Sequence, residues 1–557
     1  MSANFLSRAF AHRLRPQIPL VLLCALSATF FCFYTLPYPY HMDTIGHIQV
    51  IQTYANTGKF SGGFRLADTY LYFSPMLVFG EFGIKVATVT VITLFTGCYF
   101  LLIKRDFGIN IAFASALLLL TAPTTLIAVT HLKEDYNALL FLALAMLFLK
   151  TRVTWYGSAA AGACYGLALL LKEFSLVLAP VLLAYLHVQH HEIRDYQSFF
   201  EIKKIWQSLL LIAAFIAGVL IVCYIIHPAL FSDYFMRMRT TSPYRAHFLG
   251  LFSYMQPTGY RLWNEAILHL FPYYLIFFLC VIVAAWNRQI LKLLYFAAAL
   301  SLFAILSNAA TIRARHYAPV LLFLSPLIVD ALLIMVRVIP RPFARTVIVH
   351  GSVVLLCVFQ LRDVLPTLEY RLRYNPHAEF YQPLKRLLPP NALLLGMDNC
   401  VIASYHTGLR CMRHPVNADA QRYQKFAQRV QNTMKERPVF LLPDFFSHDR
   451  FGEIRKNFPK EFKLAEVFSK LSEDFHAMTY GPSVKALIAG FRRRRPSCAL
   501  ANEERREVQA SEHLSLDLVK YSFSCGTETV ERQFFEFQGH LTFLSPMRVY
   551  SVSERGS

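Results

Sequence analysis

Four short stretches of the 557-residue chain place ionisable side chains against long apolar runs, where charge is expensive and function is its default explanation. In Tyr38-Pro39-Tyr40-His41-Met42-Asp43-Thr44-Ile45-Gly46-His47, Asp43 stands one turn before His47 at the start of an amphipathic stretch. It either caps a helix or presents a carboxylate at a membrane face, and a helix-start position keeps it ionised in both cases. The second stretch, His131-Leu132-Lys133-Glu134-Asp135-Tyr136-Asn137, carries adjacent carboxylates that need a cation, a metal or a substrate, with Lys133 able to neutralise one of them. In the third, Lys172 and Glu173 follow the apolar run Gly166–Leu171 and apolar sequence resumes at once, which suits an anionic ligand at membrane depth. The fourth, Arg313-Ala314-Arg315-His316-Tyr317-Ala318-Pro319, offers guanidinium groups that pair bidentately with phosphate. Interfacial snorkelling explains any one of these charges alone. Together they supply carboxylates for proton abstraction and cations for phosphate at one membrane face. That combination suits group transfer from a lipid phosphate, in which a sugar–phosphate bond breaks through an oxocarbenium-like transition state.

The elements that must position these groups are apolar helices. Charged residues make up 16% of the chain, against roughly 25% in soluble proteins, and mean hydropathy is +0.39. Runs near 17–35, 82–103, 109–130, 138–150, 157–171, 174–188, 207–228, 266–286, 290–309, 317–336 and 346–361 read as about eleven transmembrane helices, so the fold class is a polytopic α-helical membrane protein. The net charge of +20 is explained by positive-inside loops and anionic lipid, without nucleic acid as a partner. Arg8, Arg13 and Arg15 precede the first run, and Cys32–Pro37 lacks the small-x-small pattern of a signal cleavage site. The first helix is therefore expected to stay, with the N-terminus cytoplasmic. Lys104, Arg105, Lys150, Arg152, Arg194, Lys203, Lys204, Arg288, Lys292, Arg337, Arg341 and Arg345 then fall on that same side. The opposite side takes two long loops, 36–81 and 229–265, and everything after the transmembrane domain 1–361.

Residues 362–557 read as a separate extracytoplasmic soluble domain. Its opening, from Tyr381 through Gly396, reads as helix, Pro-rich turn and buried strand; 420–435 is amphipathic, and Pro438–Pro443 is a second short strand. That order suggests a small α/β domain, and the pattern weakens over 496–557. Four cysteines, Cys400, Cys411, Cys498 and Cys525, lie in this tail, where an extracytoplasmic location permits disulfides in three pairings, with Cys400–Cys411 preferred. The chain has no P-loop, GxGxxG, CxxC or HExxH, which removes support for ATP-driven, dinucleotide-linked and zinc-protease readings. No internal repeat or paired broken helices mark a secondary transporter.

In order along 15–330, the chain resembles the GT-C membrane glycosyltransferases, in the branch of the protein O-mannosyltransferases and aminoarabinose transferases. Asp43, His47, Ala55, Gly58 and Phe60 are similar to that branch's segment after its first span, and Tyr72-Phe73-Ser74-Pro75-Met76 to its Pro-Leu segment. Asp135 matches the second-loop acidic position, and Gly166–Lys172 resembles Gly-Leu-Ala-hydrophobic-Thr-Lys with Leu171 in place of Thr. Phe231-Ser232-Asp233-Tyr234-Phe235, His247 and Tyr260 resemble the large outward loop, Leu270-Phe271-Pro272-Tyr273 its exit, and Tyr317-Ala318-Pro319 with Pro326 the late Tyr-x-x-Pro span.

The resemblance implies a hexosyl- or pentosyltransferase of the cell envelope, in a bacterial inner membrane with its C-terminal domain in the periplasm. It would move a sugar with inversion from a polyprenyl-phosphate lipid to a glycan, lipid or protein acceptor outside the cytoplasm. Asp43 would be the catalytic base or the carboxylate that orients the acceptor, and Asp135 its partner, for the acceptor or for a divalent cation. Lys172, Arg313, Arg315 and Tyr317 would bind the donor phosphate, with His47, Glu134, His247 and Tyr260 lining the pocket. Thr44 replaces an acidic residue common in the branch, which leaves open whether Asp43 and Asp135 hold a divalent cation. A polyprenyl-lipid transporter or flippase and an inactive polysaccharide-assembly component are the alternatives. The transferase reading expects the carboxylates after helices one and three to meet beside basic groups.

Overall fold

The computed structural model describes residues 17–39, 42–57, 66–132, 135–149, 153–194, 196–226, 289–308, 318–397, 399–414, 420–445, 460, 462–473, 498–511, 514–538, 540–542 and 544–554. The helices among them, in chain order, are α1 Ile18–Tyr34, α2 Met42–Thr57, α3 Leu66–Phe79, α4 Phe82–Phe107, α5 Ile109–Thr121, α6 Pro123–Thr130, α7 Asp135–Phe148, α8 Trp155–Leu171 and α9 Ala179–His191. They continue with α10 Tyr196–Phe199, α11 Ile202–Ile226, α12 Ile290–Asn308, α13 Ala318–Met335, α14 Pro342–Arg373, α15 Pro376–Leu387, α16 Cys400–Thr407 and α17 Ala420–Met434. The chain divides into two compact units, one of 1–37 with 57–363 and one of 38–56 with 364–557. The segment 38–56, which the sequence reading keeps with the transmembrane domain, thus belongs to the same unit as the C-terminal residues.

The first unit is helical and apolar. Among the described residues, α4, α11, the run Ala318–Val338 and the helix from Pro342 are long and apolar enough to cross a membrane. Shorter apolar helices include α1, α7 and α8, and the expected span 266–286 lies outside the described residues. The expected span 109–130 is two helices, α5 and α6, bent by 60°. Pro123 has no N–H to continue the ladder, and Ala122 is extended. Small residues set one close crossing: a Cβ on Gly162 of α8 would lie 1.9 Å from the Phe215 carbonyl oxygen of α11, and one on Gly218 2.1 Å from that of Ala159. Only glycine lets these two backbones meet. Ser158 donates to the Leu211 carbonyl across the same crossing at 2.5 Å.

The second unit carries the strands. They are β1 Leu393–Gly396, β2 Arg410–Arg413, β3 Val439–Leu441, β4 Phe462–Glu473, β5 Cys498–Ser511, β6 Leu514–Cys525, β7 Glu528–Phe537, β8 His540–Thr542 and β9 Leu544–Glu554. One sheet runs β2-β1-β3-β9-β4, with β1 parallel to both its neighbours and β9 antiparallel to β3 and β4; the other is the meander β5-β6-β7-β8. The parallel core is the strand–helix–strand pattern of the sequence, with β1 buried along its whole length. The weakly patterned 496–557 forms the meander and then returns through β9 to complete the first sheet. Its signal is the alternation of Val519, Tyr521 and Phe523, which bury one face of β6 with Cys498. α14 runs through the expected boundary at 361/362 to Arg373, because buried Val364 and Leu368 keep a helical spacing after the apolar run ends. Disulfides join Cys400 to Cys411, the preferred pair, and Cys498 to Cys525. Burial lowers His406 in α16 to about 4, so its ring is neutral at physiological pH.

Candidate active site

Two of the residues singled out in the sequence, Asp135 and Lys172, meet in the first unit. Lys172 Nζ lies 3.2 Å from Asp135 Oδ1, with side-chain exposures of 9% and 2%. Asp135 opens α7, where the unsatisfied N–H groups of the first turn favour a carboxylate. Lys172 ends α8: its backbone is extended, its N–H closes on the Ala168 carbonyl, and a 3-10 turn over Glu173–Leu178 follows. That break is pinned, since Ser175 N–H donates to the Lys172 carbonyl at 3.2 Å and the Tyr165 hydroxyl to the Ser175 carbonyl at 2.7 Å. The helix therefore delivers its terminal ammonium at a fixed point.

Polar groups around Asp135 are held by neighbouring helices. Asn137 Nδ2 donates to the Tyr72 hydroxyl at 3.2 Å, joining α7 to α3, and Tyr136 donates to Thr125 of α6 at 2.5 Å. Leu36 N–H donates to the Thr130 carbonyl at 2.9 Å, so the chain leaving α1 passes the end of α6. Leu132 then takes a left-handed conformation, φ 56°, in the turn ahead of α7. Asn137 and Tyr72 lie inside stretches already singled out but without a role there, and Thr125 lies outside them. Their clue in the sequence is a polar atom inside an apolar run, which must find a partner once buried.

The remaining expected residues divide by location. Asp43 is the second residue of α2 and belongs to the second unit, as does buried His47; the Asp43 side chain lies outside the described residues. Glu134, His247, Tyr260, Arg313, Arg315 and Tyr317 also lie outside them. Among the described residues no three His, Cys, Asp or Glu side chains are grouped to hold a metal.

A second buried cluster lies at the other end of α7. Arg105 Nε donates to Asp106 Oδ1 at 2.8 Å, and Asp106 Oδ2 accepts from the Tyr185 and Tyr295 hydroxyls at 2.5 and 2.8 Å. Arg105 Nη1 donates to the carbonyls of Met146, Leu147 and Leu149, and Nη2 to Tyr185. The sequence reading treats Arg105 only as a topology charge. Tyrosines 185 and 295, buried within apolar runs, are what mark this cluster.

Residues 72–222 match the family model described as dolichyl-phosphate-mannose-protein mannosyltransferase. This segment contains both Asp135 and Lys172. ArnT from Cupriavidus metallidurans, solved bound to undecaprenyl phosphate, is similar at a TM-score of 0.51 and 15% identity, over 82% of this chain and 96% of that one. Its apo form gives 0.52 and 16%, over 78% and 94%. The archaeal oligosaccharyltransferase AglB from Archaeoglobus fulgidus, in complex with an inhibitory peptide and a dolichol phosphate, gives 0.51 and 13%, over 80% and 70%. No curated protein matches by sequence.

Proposed function

On the premise that this chain has the GT-C fold, in the branch of ArnT and the protein mannosyltransferases, we propose that it is a membrane glycosyltransferase using a polyprenyl-phosphate sugar. The observation that carries the reading is the buried Lys172–Asp135 contact inside the segment matching the family model. A desolvated ammonium beside a carboxylate is a poised anion site: donor phosphate joins or replaces Asp135 at Lys172, and the cation stabilises the phosphate as its bond to the sugar breaks. Arg313, Arg315 and Tyr317 complete the phosphate contacts. Asp43 takes the acceptor proton as general base, and displacement at the sugar carbon inverts its configuration. Disulfides in the second unit support an extracytoplasmic location for it, periplasmic if the membrane is a bacterial inner membrane, with acceptor delivered on that side.

Mass analysis of envelope glycans and lipids, with and without the protein, should reveal one species that has lost a single sugar. Asp43→Asn should abolish its formation while donor lipid still binds; full formation would remove the base assignment. Arg315→Ala should weaken donor binding, and unchanged affinity would count against its phosphate role. A flippase would instead leave transfer by an added soluble extract intact in the Asp43→Asn membranes.

A further inference from the structure

We infer that the C-terminal residues form the seat of α2, and that Tyr38 and Ile45 are positioning residues for the carboxylate this helix carries. Segment 38–56 forms one compact unit with 364–557. Ile45 is 0% exposed and lies in a core cluster with Phe380, Tyr381 and Leu384 of α15, Ile402 of α16 and Val549 of β9. Thr44, Ile45, His47, Ile48 and Ile51 are all buried, a stripe at helical spacing, while Gln52, Thr53 and Asn56 stay exposed. One face of α2 is therefore fixed, which fixes its rotation about its own axis. The entry to the helix is fixed as well: the Tyr38 hydroxyl donates to the carbonyls of Arg371 at 2.5 Å and Tyr374 at 3.1 Å, where α14 ends. Asp43 lies between these two anchors, two residues before Ile45. The C-terminal residues thus act as part of the transfer machinery: they set the axial rotation of the helix bearing the base, and general-base catalysis falls steeply when such a group is misplaced by about 1 Å.

This inference rests on Asp43 being the base, and its test separates the two claims. In full-length protein in membranes, Ile45→Ala should lower the rate of sugar transfer at least tenfold while undecaprenyl phosphate binds within twofold of wild type. Ile45→Leu should recover most of the rate, which a general loss of fold would not allow. Tyr38→Phe removes a single hydroxyl and should cost about three- to tenfold in the same rate with binding unchanged. Hydrogen exchange reads the seat without activity: Leu384→Ala should raise exchange across 42–57. If Ile45→Ala and Tyr38→Phe transfer at the wild-type rate while Asp43→Asn is dead, the positioning claim is overturned and the base stands. If Asp43→Asn transfers at the wild-type rate, the base falls, and unchanged exchange of 42–57 in Leu384→Ala would overturn the seat as well.

Discussion

Two buried acid–base clusters sit at opposite ends of α7, and they hold their charges by different means. At its start, Asp135 lies 3.2 Å from the Lys172 ammonium. At its finish, about 20 Å away at 1.5 Å per residue, the Arg105 fork is spread over a carboxylate, a phenol and the last carbonyls of the helix itself. Asp106 in turn accepts from two tyrosines and the guanidinium. A planar guanidinium with several donors committed to backbone and ring partners locks helices together; an ammonium on a flexible stem is a point charge that exchanges partners readily. The difference teaches that burial and charge do not by themselves mark a site. What distinguishes the Lys172 end is a cation delivered by a helix break next to a carboxylate at a helix start, while the Arg105 end is a cap.

Substitution at the two ends should separate activity from stability. Lys172→Ala should lower transfer about 10²- to 10³-fold, the range for removing one donor to a developing anion. Because it also takes a buried cation away from Asp135, the sharper form is the double variant Asp135→Asn with Lys172→Met, which removes both charges of the pair together. That double variant should fold like wild type and remain inactive; recovered transfer would reduce the pair to a structural tie. Asp106→Ala should do the reverse. It removes the guanidinium's counter-charge and the acceptor of two phenols, at a cost of about 3 kcal/mol in stability, seen as a lowered unfolding midpoint in detergent. The protein that remains folded should transfer sugar at close to the wild-type rate. A smaller step in the same direction is Tyr295→Phe, which removes one hydrogen bond to a charged acceptor and should cost about 1.5 kcal/mol. A loss of transfer beyond the loss of folded protein would mean that the Arg105 end also serves the reaction.

The two ends were unequally legible in the sequence. Asp135 and Lys172 stand out because each interrupts an apolar run, and a charge there demands a reason whatever the topology. Their pairing was open, since nothing in one sequence says which helix ends are neighbours; the Gly162 and Gly218 crossing that aligns α8 is visible only as small residues. The Arg105 cluster stayed hidden because the positive-inside rule already explained its arginine, and because Tyr185 and Tyr295 read as ordinary membrane aromatics. In the C-terminal residues the parallel strands β1 and β3 are readable as short apolar runs, the first after Pro389-Pro390 and the second between Pro438 and Pro443. The charged β5 segment around Glu503–Glu507 was not, because an edge strand keeps polar side chains and its alternation is lost. The return of β9 to the first sheet is a long-range pairing with no local signal at all. The placement of α2 with the C-terminal unit is of the same kind: its buried stripe announces a partner face and says nothing about whose.

The smallest expected effect tests whether a single buried lysine–aspartate contact is enough to mark a site. Lys292 Nζ lies 2.5 Å from Asp330 Oδ2, with exposures of 16% and 10%, joining α12 to α13. In chemistry it is the same pair as Lys172 with Asp135, and the charge pattern puts it on the side of Arg105. If position and helix-end geometry decide function, replacing both members, Lys292→Met with Asp330→Leu, should leave transfer unchanged and shift stability by no more than about 1 kcal/mol. Exchanging an ion pair for well-packed apolar side chains is often neutral. The measurement is the transfer rate per folded molecule alongside the unfolding midpoint. A rate that falls as far as in the Lys172 and Asp135 double variant would show that removing any such pair from the bundle is sufficient to stop the reaction. The contrast between the two ends of α7 would then carry no information about where the phosphate binds.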